Sequence, residues 1–199
     1  GLAWLLSAWK IDIAELPSFG DEIRVSTWAT GFKGLRASRN FTVCRASDDA
    51  AAHPLVRADS SWFMFDANKG RPIRIPESES APYVEDARND SPLDLPPIQR
   101  VIRIEGEGQA CAPITVTGAH IDTNHHVNNA QYVSLALGVL EEGEVSTPCA
   151  LDVHYSRAAK LGDTIYPHVH RESPADGSPS TIVTLDDEAG SPYAIVRLS

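Results

Sequence analysis

The sequence predicts an α+β fold of two related units, each an antiparallel sheet with a helix, the first unit incomplete at its N-terminal side. Three observations carry that expectation. Short alternating apolar segments follow one another with turn residues between them, the habit of antiparallel strands. One run, Ala130–Leu140, instead repeats its apolar residues at helical spacing and is followed by four more strand-like segments. Between the halves lies a stretch of different character. Residues 77–98 are acidic, proline-rich and aperiodic, and read as a linker that we bound at 77–100.

The opening Gly1–Trp9 is apolar but has no basic leader, so it reads as the end of a buried helix, Gly1–Ser7, and not as a signal peptide. A first residue other than Met suggests that natural sequence precedes it. Trp9–Ile13 alternates like a strand, and Pro17–Gly20 breaks it. Glu22–Ala29 alternates again with Ile23, Val25 and Thr27 on one face, and Gly31–Gly34 is a turn. Arg36–Arg45 is the next strand, with Phe41 and Val43 inward, then Ser60–Phe65, a turn at Asn68–Gly70, and Arg71–Pro76. The first unit is therefore bounded at 1–76 and the second at 101–199. The second opens with strands at Val101–Ile104 and Ile114–Thr117. In the helix that follows, Tyr132, Val133, Leu135, Ala136, Val139 and Leu140 recur at 3.6-residue spacing, with Asn128 or Asn129 as cap and Gly143 as stop. Four strands close the chain: Cys149–Tyr155, Asp163–His170, Ser180–Leu185 and Tyr193–Leu198.

Bulk properties narrow the class. Of 199 residues 42% are hydrophobic and 22% charged, a globular balance, and no apolar run nears the roughly 20 residues of a membrane-spanning helix. Cys44, Cys111 and Cys149 are scattered and odd in number, the pattern of ordinary thiols in a reducing compartment. A net charge of -10 argues against nucleic acid or an anionic membrane as the main partner. That charge is unevenly spread: residues 1–76 carry +2 and residues 77–199 carry -12. Arg36, Arg39, Arg45, Lys69, Arg71 and Arg74 concentrate the positive side, either as solvated surface charges or as a basic patch.

The residues that carry chemistry fall at 122–129. Asp122, Asn124 and His126 alternate, so an extended backbone would point all three the same way. A helix starting just after them would add backbone N–H groups and the positive end of its dipole. A carboxylate or imidazole can activate water, an amide can orient a partner, and helix N–H groups can steady an oxyanion, which together suit acyl transfer. The same residue types also serve simply as caps and turn formers. Adjacent histidines with an Asp suggest a metal as well, helped by His154, His168 and His170, although no fixed spacing unites these groups. Without a metal, His168 and His170 read as a solvent-facing strand side.

The run Ile121–Tyr132, with Asp122, Asn124, His126, Val127, Asn128, Asn129 and Tyr132 in place, resembles the signature of the acyl-ACP thioesterases. Ile23–Trp28, Arg39–Val43, Ser61–Phe63 and Arg71–Pro76 resemble that family's first-domain landmarks, and Leu151–Tyr155 with Leu161–Asp163 resemble the strand and turn after its second helix. The resemblance implies a tandem (double) hotdog, two antiparallel sheets each wrapped around a central helix. It implies a first unit that shapes the acyl pocket and a second that carries Asp122, Asn124 and His126 as the catalytic group. Asn128, Asn129, Trp28, Trp62, Arg36, Arg39 and Arg74 become candidates for substrate binding, and Trp4, Leu5 and Trp9 further pocket or core residues. The substrate would be a fatty acyl chain on the phosphopantetheine arm of acyl carrier protein, released as free acid in fatty acid biosynthesis. No metal or organic cofactor is implied. The enzyme would act as monomer or homodimer, in the cytoplasm of a bacterium or the plastid of a plant. Ala158 stands where many relatives place a catalytic Glu, and Ala159 where plant members have Cys. That departure keeps two alternatives open: a weakened or inactive homologue that binds acyl-ACP, and a different hotdog enzyme such as an acyl-CoA thioesterase or dehydratase.

Overall fold

The computed structural model describes residues 1–48, 53–85, 91–144, 149–172 and 179–199. Its contacts divide the chain into two compact units, Gly1–Ile98 and Gln99–Ser199.

In the first unit, β1 (Leu2–Ile13), β2 (Ile23–Lys33), β3 (Arg36–Arg45) and β4 (Val56–Asp66) form an antiparallel sheet in the order β2-β3-β4-β1, and β5 (Arg71–Ile73) pairs with β4. A short α1 (Glu77–Ser80) and a 3-10 turn at Ala81–Tyr83 follow. The β2–β3 hairpin closes through Gly34 and Leu35. Gly34 sits at φ +65°, the left-handed first position that a two-residue hairpin turn reserves for glycine.

The expected helical tail at Gly1–Ser7 is instead the first half of β1, whose pairing with β4 runs from Leu2↔Asp66 to Ile13↔Val56 with a bulge between Leu6 and Ala8. Seven residues are too few for periodicity to separate helix from strand, and the tryptophans and the long ladder with β4 settle it. Register also sorts the two faces. Trp4, Leu6, Trp9, Phe41, Val43, Trp62 and Met64 share one face with Ile23, Val25 and Thr27. Phe41 and Val43 thus lie on the apolar face as expected, but only half-buried. The fully buried β3 residues are Ala37, Asn40, Thr42 and Cys44. Three of these, Asn40, Thr42 and Cys44, lie on the opposite, polar face by register. There the Asn40 amide donates to Asp59 at 3.0 Å and accepts the Leu93 N–H at 2.9 Å, so residues near 93 lie on the sheet.

The second unit has β6 (Gln109–Ala110), β7 (Ile114–Thr115), a 3-10 turn at Gly118–His120, α2 (Asn129–Gly138), β8 (Cys149–Tyr155), β9 (Thr164–Glu172), β10 (Ser180–Asp186) and β11 (Pro192–Leu198). The antiparallel order is β8-β11-β10-β9-β6, and β7 also pairs with β9. α2 packs on β10 and β11 through the fully buried Tyr132 and Ala136. Val153, Ile165, Val183, Leu185, Ala194 and Val196, none more than a trace exposed, complete that core.

Three expectations are corrected here. Val101–Ile104 is not a strand: Ile102 is buried and Arg103 is held by its carbonyl accepting from the Arg197 guanidinium. α2 ends at Gly138, five residues before Gly143, which instead takes φ +87° in a later turn. His168 and His170 do not face open solvent. His168 Nδ1 lies 3.0 Å from Asp186, and the His170 ring lies so close to Gly108 that a Cβ there would come within 2.6 Å of it.

Candidate active site

Between the 3-10 turn and α2 the chain folds back on itself. Ile121 and Val127 form a β-bridge, the Asp122 N–H donates to the His126 carbonyl at 2.9 Å, and the His125 N–H donates to the Asp122 carbonyl at 3.0 Å. Residues 122–126 are therefore a tight turn, not the extended segment that their alternation suggests. The cause is local chemistry. The Asp122 carboxylate caps its own turn, accepting the Asn124 N–H at 2.8 Å and the His126 N–H at 3.5 Å, and His125 takes the left-handed conformation at φ +62°. Asp and Asn stabilise such turns through their own side chains, and here that preference overrides a spacing that also suits a strand.

The turn still gathers Asp122 and Asn124, whose side chains approach at 3.5 Å, and sets His126 one residue before the buried Val127. Asp122 and His126 are half-buried and Asn124 is exposed. Asn128 caps α2, its side chain accepting the Ala130 N–H at 2.9 Å and its carbonyl accepting the Gln131 N–H at 2.9 Å. Those two donors are thereby occupied, which narrows the helix N–H groups left for an oxyanion.

The segment after β8 runs alongside. The Val127 N–H donates to the Ala159 carbonyl at 2.9 Å, and the Ala159 N–H donates to the Tyr132 hydroxyl at 2.7 Å. Tyr155 donates its hydroxyl to the Asn129 carbonyl at 3.1 Å, and its ring centre lies 6.0 Å from that of Tyr132. Burial pushes both phenols above their ordinary range, with neighbouring Tyr132 adding to the push on Tyr155 and the Ala159 N–H opposing it at Tyr132. Arg157 anchors the same segment, its guanidinium 4.1 Å from the Tyr193 ring centre and paired with Asp187. Ala158 is exposed and Ala159 fully buried. The expected position of the missing Glu thus lies one residue from a backbone bond to Val127. The Tyr132, Tyr155 and Ala159 contacts escaped sequence reasoning because each of the three bonds has at least one end on a backbone atom, which leaves no side-chain pattern.

The other candidates are dispersed. Trp62, with Trp4, Phe32, Phe41, Arg39 and Tyr83, lines a cavity of about 290 Å³ on the apolar face of the first unit. Trp28 lies on the opposite face, its indole donating to the Ser91 carbonyl at 3.3 Å, and Leu5 shares that face. Arg39 donates to Thr27 and sits 5.6 Å from the Tyr83 ring centre, whereas Arg36, three residues along the same strand, projects to the other side. Arg74 is exposed beyond β5. The three arginines therefore do not share one face. Among the described residues no group of three or more His, Cys, Asp or Glu side chains is placed to hold a metal, and no helix is long and apolar enough to cross a membrane.

The family model for the acyl-ACP thioesterase N-terminal domain matches residues 1–83, and that for the C-terminal domain matches residues 106–195. The chloroplastic palmitoyl-acyl carrier protein thioesterase of Gossypium hirsutum is 28% identical over 165 residues, covering 78% of this chain and 38% of its own length. The chain therefore spans about two-fifths of that relative. An acyl-ACP thioesterase from Bacteroides thetaiotaomicron superposes with a TM-score of 0.81 at 22% identity, over 99% of this chain and 76% of that one. The 12:0-ACP thioesterase from Umbellularia californica gives 0.80 at 18% identity, over 100% and 75%. At such identities the structural likeness establishes the hotdog fold, and the two domain models, matched in order along both units, establish that this chain belongs to the acyl-ACP thioesterase family.

Proposed function

We propose that this chain hydrolyses fatty acyl-ACP thioesters, releasing free fatty acid and acyl carrier protein, with the two units forming a double hotdog. The observation that carries the reading is the turn at Asp122–His126 leading into α2 inside the segment matched by the C-terminal domain model. Asp122 spends its carboxylate on the turn, so its role is to hold Asn124 and His126 in place. His126 then serves as general base. It takes a proton from water as the oxygen attacks the thioester carbonyl, and the departing phosphopantetheine thiolate takes that proton back. A thioester carbonyl needs little more than positioned water and charge stabilisation, so neither a metal nor an organic cofactor enters the scheme. The first unit shapes the acyl pocket. Its cavity, lined by Trp4, Phe32, Phe41 and Trp62, is apolar enough for an alkyl chain. Acyl carrier protein docks through the exposed Arg36 and Arg74. In a plant the compartment is the plastid.

Ala158 favours one variant of this reading, a slow enzyme lacking a second carboxylate. Incubation with acyl-ACP and acyl-CoA of several lengths, with free acid and thiol measured, tests both. Acid release from acyl-ACP that Ala158→Glu accelerates supports the proposal. Turnover of neither substrate by either protein, with tight acyl-ACP binding, replaces it with a binding module. Equal turnover of acyl-CoA replaces carrier-protein specificity.

A further inference from the structure

Tyr132 is the largest fully buried side chain among the described residues, and its hydroxyl is not idle. It accepts the Ala159 N–H at 2.7 Å, and the carbonyl of that same residue accepts the Val127 N–H at 2.9 Å. Val127 follows His126 directly and forms the bridge with Ile121 that closes the turn. A relay of two hydrogen bonds therefore runs from inside α2, through the backbone of one residue, to the base of the turn carrying Asp122 and His126. The relay also fixes position 158, because Ala158 precedes the tethered residue. Ala159 has no polar side chain and is completely buried, so nothing but its backbone can transmit the tether. The rest of the segment cannot substitute. Ser156 and Arg157 are bonded to the Tyr193 carbonyl on the far side, and the Tyr155 hydroxyl ends on Asn129 without reaching Ala159.

We infer that Tyr132 is a positioning residue for the hydrolysis: its hydroxyl, acting through the backbone N–H and C=O of Ala159, sets where His126 stands relative to the segment at 158. The inference rests on the proposed function, and its test separates the two. Tyr132→Phe removes one oxygen and leaves the ring in its packed place. Expected results are a fall in kcat of about tenfold or more with KM for acyl-ACP within about twofold, since the substrate pocket is untouched and only the geometry of the proton transfer is lost. Amide hydrogen exchange gives a readout independent of turnover. Val127 and Ala159 should exchange at least about tenfold faster in Tyr132→Phe, while core amides such as Val196 change much less. Tyr155→Phe, with its hydroxyl outside the relay, should leave Val127 exchange as it is. Acceleration spread equally over Val196 and Val127 would make Tyr132 a packing residue only and overturn the inference, as would unchanged kcat in a protein whose His126→Ala variant is inactive. If His126→Ala retains full activity, the catalytic reading fails by itself. Exchange at Val127 then decides the tether: selective acceleration sustains it and its absence sinks it.

Discussion

The two units use one chain chemistry and reach different degrees of closure. In the second, α2 lies on the sheet, and Ile165, Val183, Leu185, Ala194 and Val196 are sealed beneath it. In the first, the equivalent sheet has an apolar face just as rich in large side chains, yet α1 is four residues long and carries no buried residue. Val25 stays 60% and Ile23 46% exposed on that face, with Phe41 only half-buried. Burial of apolar area is the main favourable term in folding, at about 25 cal/mol per Å². The second unit therefore holds the proposed site on a packed base, while the first offers an apolar surface with a cavity in it. A base suits groups that must be aimed, and a surface suits a ligand that must be held.

The largest test of that division is kinetic. His126→Ala should lower kcat by about 10²- to 10⁴-fold, the usual weight of a general base, with little change in KM. Trp62→Ala in the cavity should act mainly through KM and chain-length preference. Should Trp62→Ala instead lower kcat as far as His126→Ala does, with KM unchanged, the two units do not divide the work as stated.

Next in size is stability. Leu185→Ala opens a cavity in the sealed core and should cost about 2–5 kcal/mol. Val25→Thr changes an exposed position and should stay within about 0.5 kcal/mol. Denaturant midpoints measure both. A Val25→Thr cost matching that of Leu185→Ala would mean the first face is covered in solution and the contrast is void.

What the sequence disclosed follows the same line between packing and local detail. β3 matches its expected bounds because turn residues fence it on both sides, β8 also matches its own, and α2 announces itself through Tyr132 and Ala136 at helical spacing. Gly1–Ser7 was not decidable locally, since only the partner strand β4 distinguishes a strand there from a helix. The turn at 122–126 misleads for a sharper reason. Alternation of Asp, Asn and His is common to a strand edge and to a self-capped turn, and the deciding hydrogen bond, from the Asn124 N–H to Asp122, is a three-dimensional fact. The Tyr132–Ala159–Val127 relay passes through backbone atoms and has no sequence signature. Trp28 and Trp62 read alike as strand aromatics, but the register puts them on opposite faces.

A smaller effect separates the arginines. Arg36→Glu and Arg74→Glu should each raise KM for acyl-ACP by about two- to fivefold, the weight of one exposed ion pair, and leave acyl-CoA unaffected. Arg39 sits in the cavity and not on the outer face, so Arg39→Glu should impair both substrates alike. A carrier-specific effect at Arg39 would move the docking surface to the apolar side of the sheet.

The subtlest test lies in pH, where one cause acts with opposite sign in the two units. Burial raises the Asp59 carboxyl in the first unit, against the Ser60 N–H that favours its charged form. Burial lowers His170 in the second, helped by neighbouring His168 and opposed by Asp186 and Glu172. A raised carboxyl contributes stability at pH below its unfolded value, and that contribution is lost as pH rises through the folded value. A lowered imidazole does the reverse: its contribution is present above the ordinary histidine value of about 6.5 and is lost as pH falls toward the folded value. Acidification from neutrality should therefore weaken the second unit first, while the Asp59 contribution recovers only at lower pH. Amide exchange followed unit by unit between about pH 7.5 and 4.5 should show protection of β9 and β10 falling before that of β3 and β4. His170→Gln should flatten the first decline, and Asp59→Asn, which keeps an acceptor for Asn40, should stabilise the first unit at neutral pH. Parallel loss of protection in both units, unaltered by either substitution, would show that the two half-buried groups do not govern their own sheets.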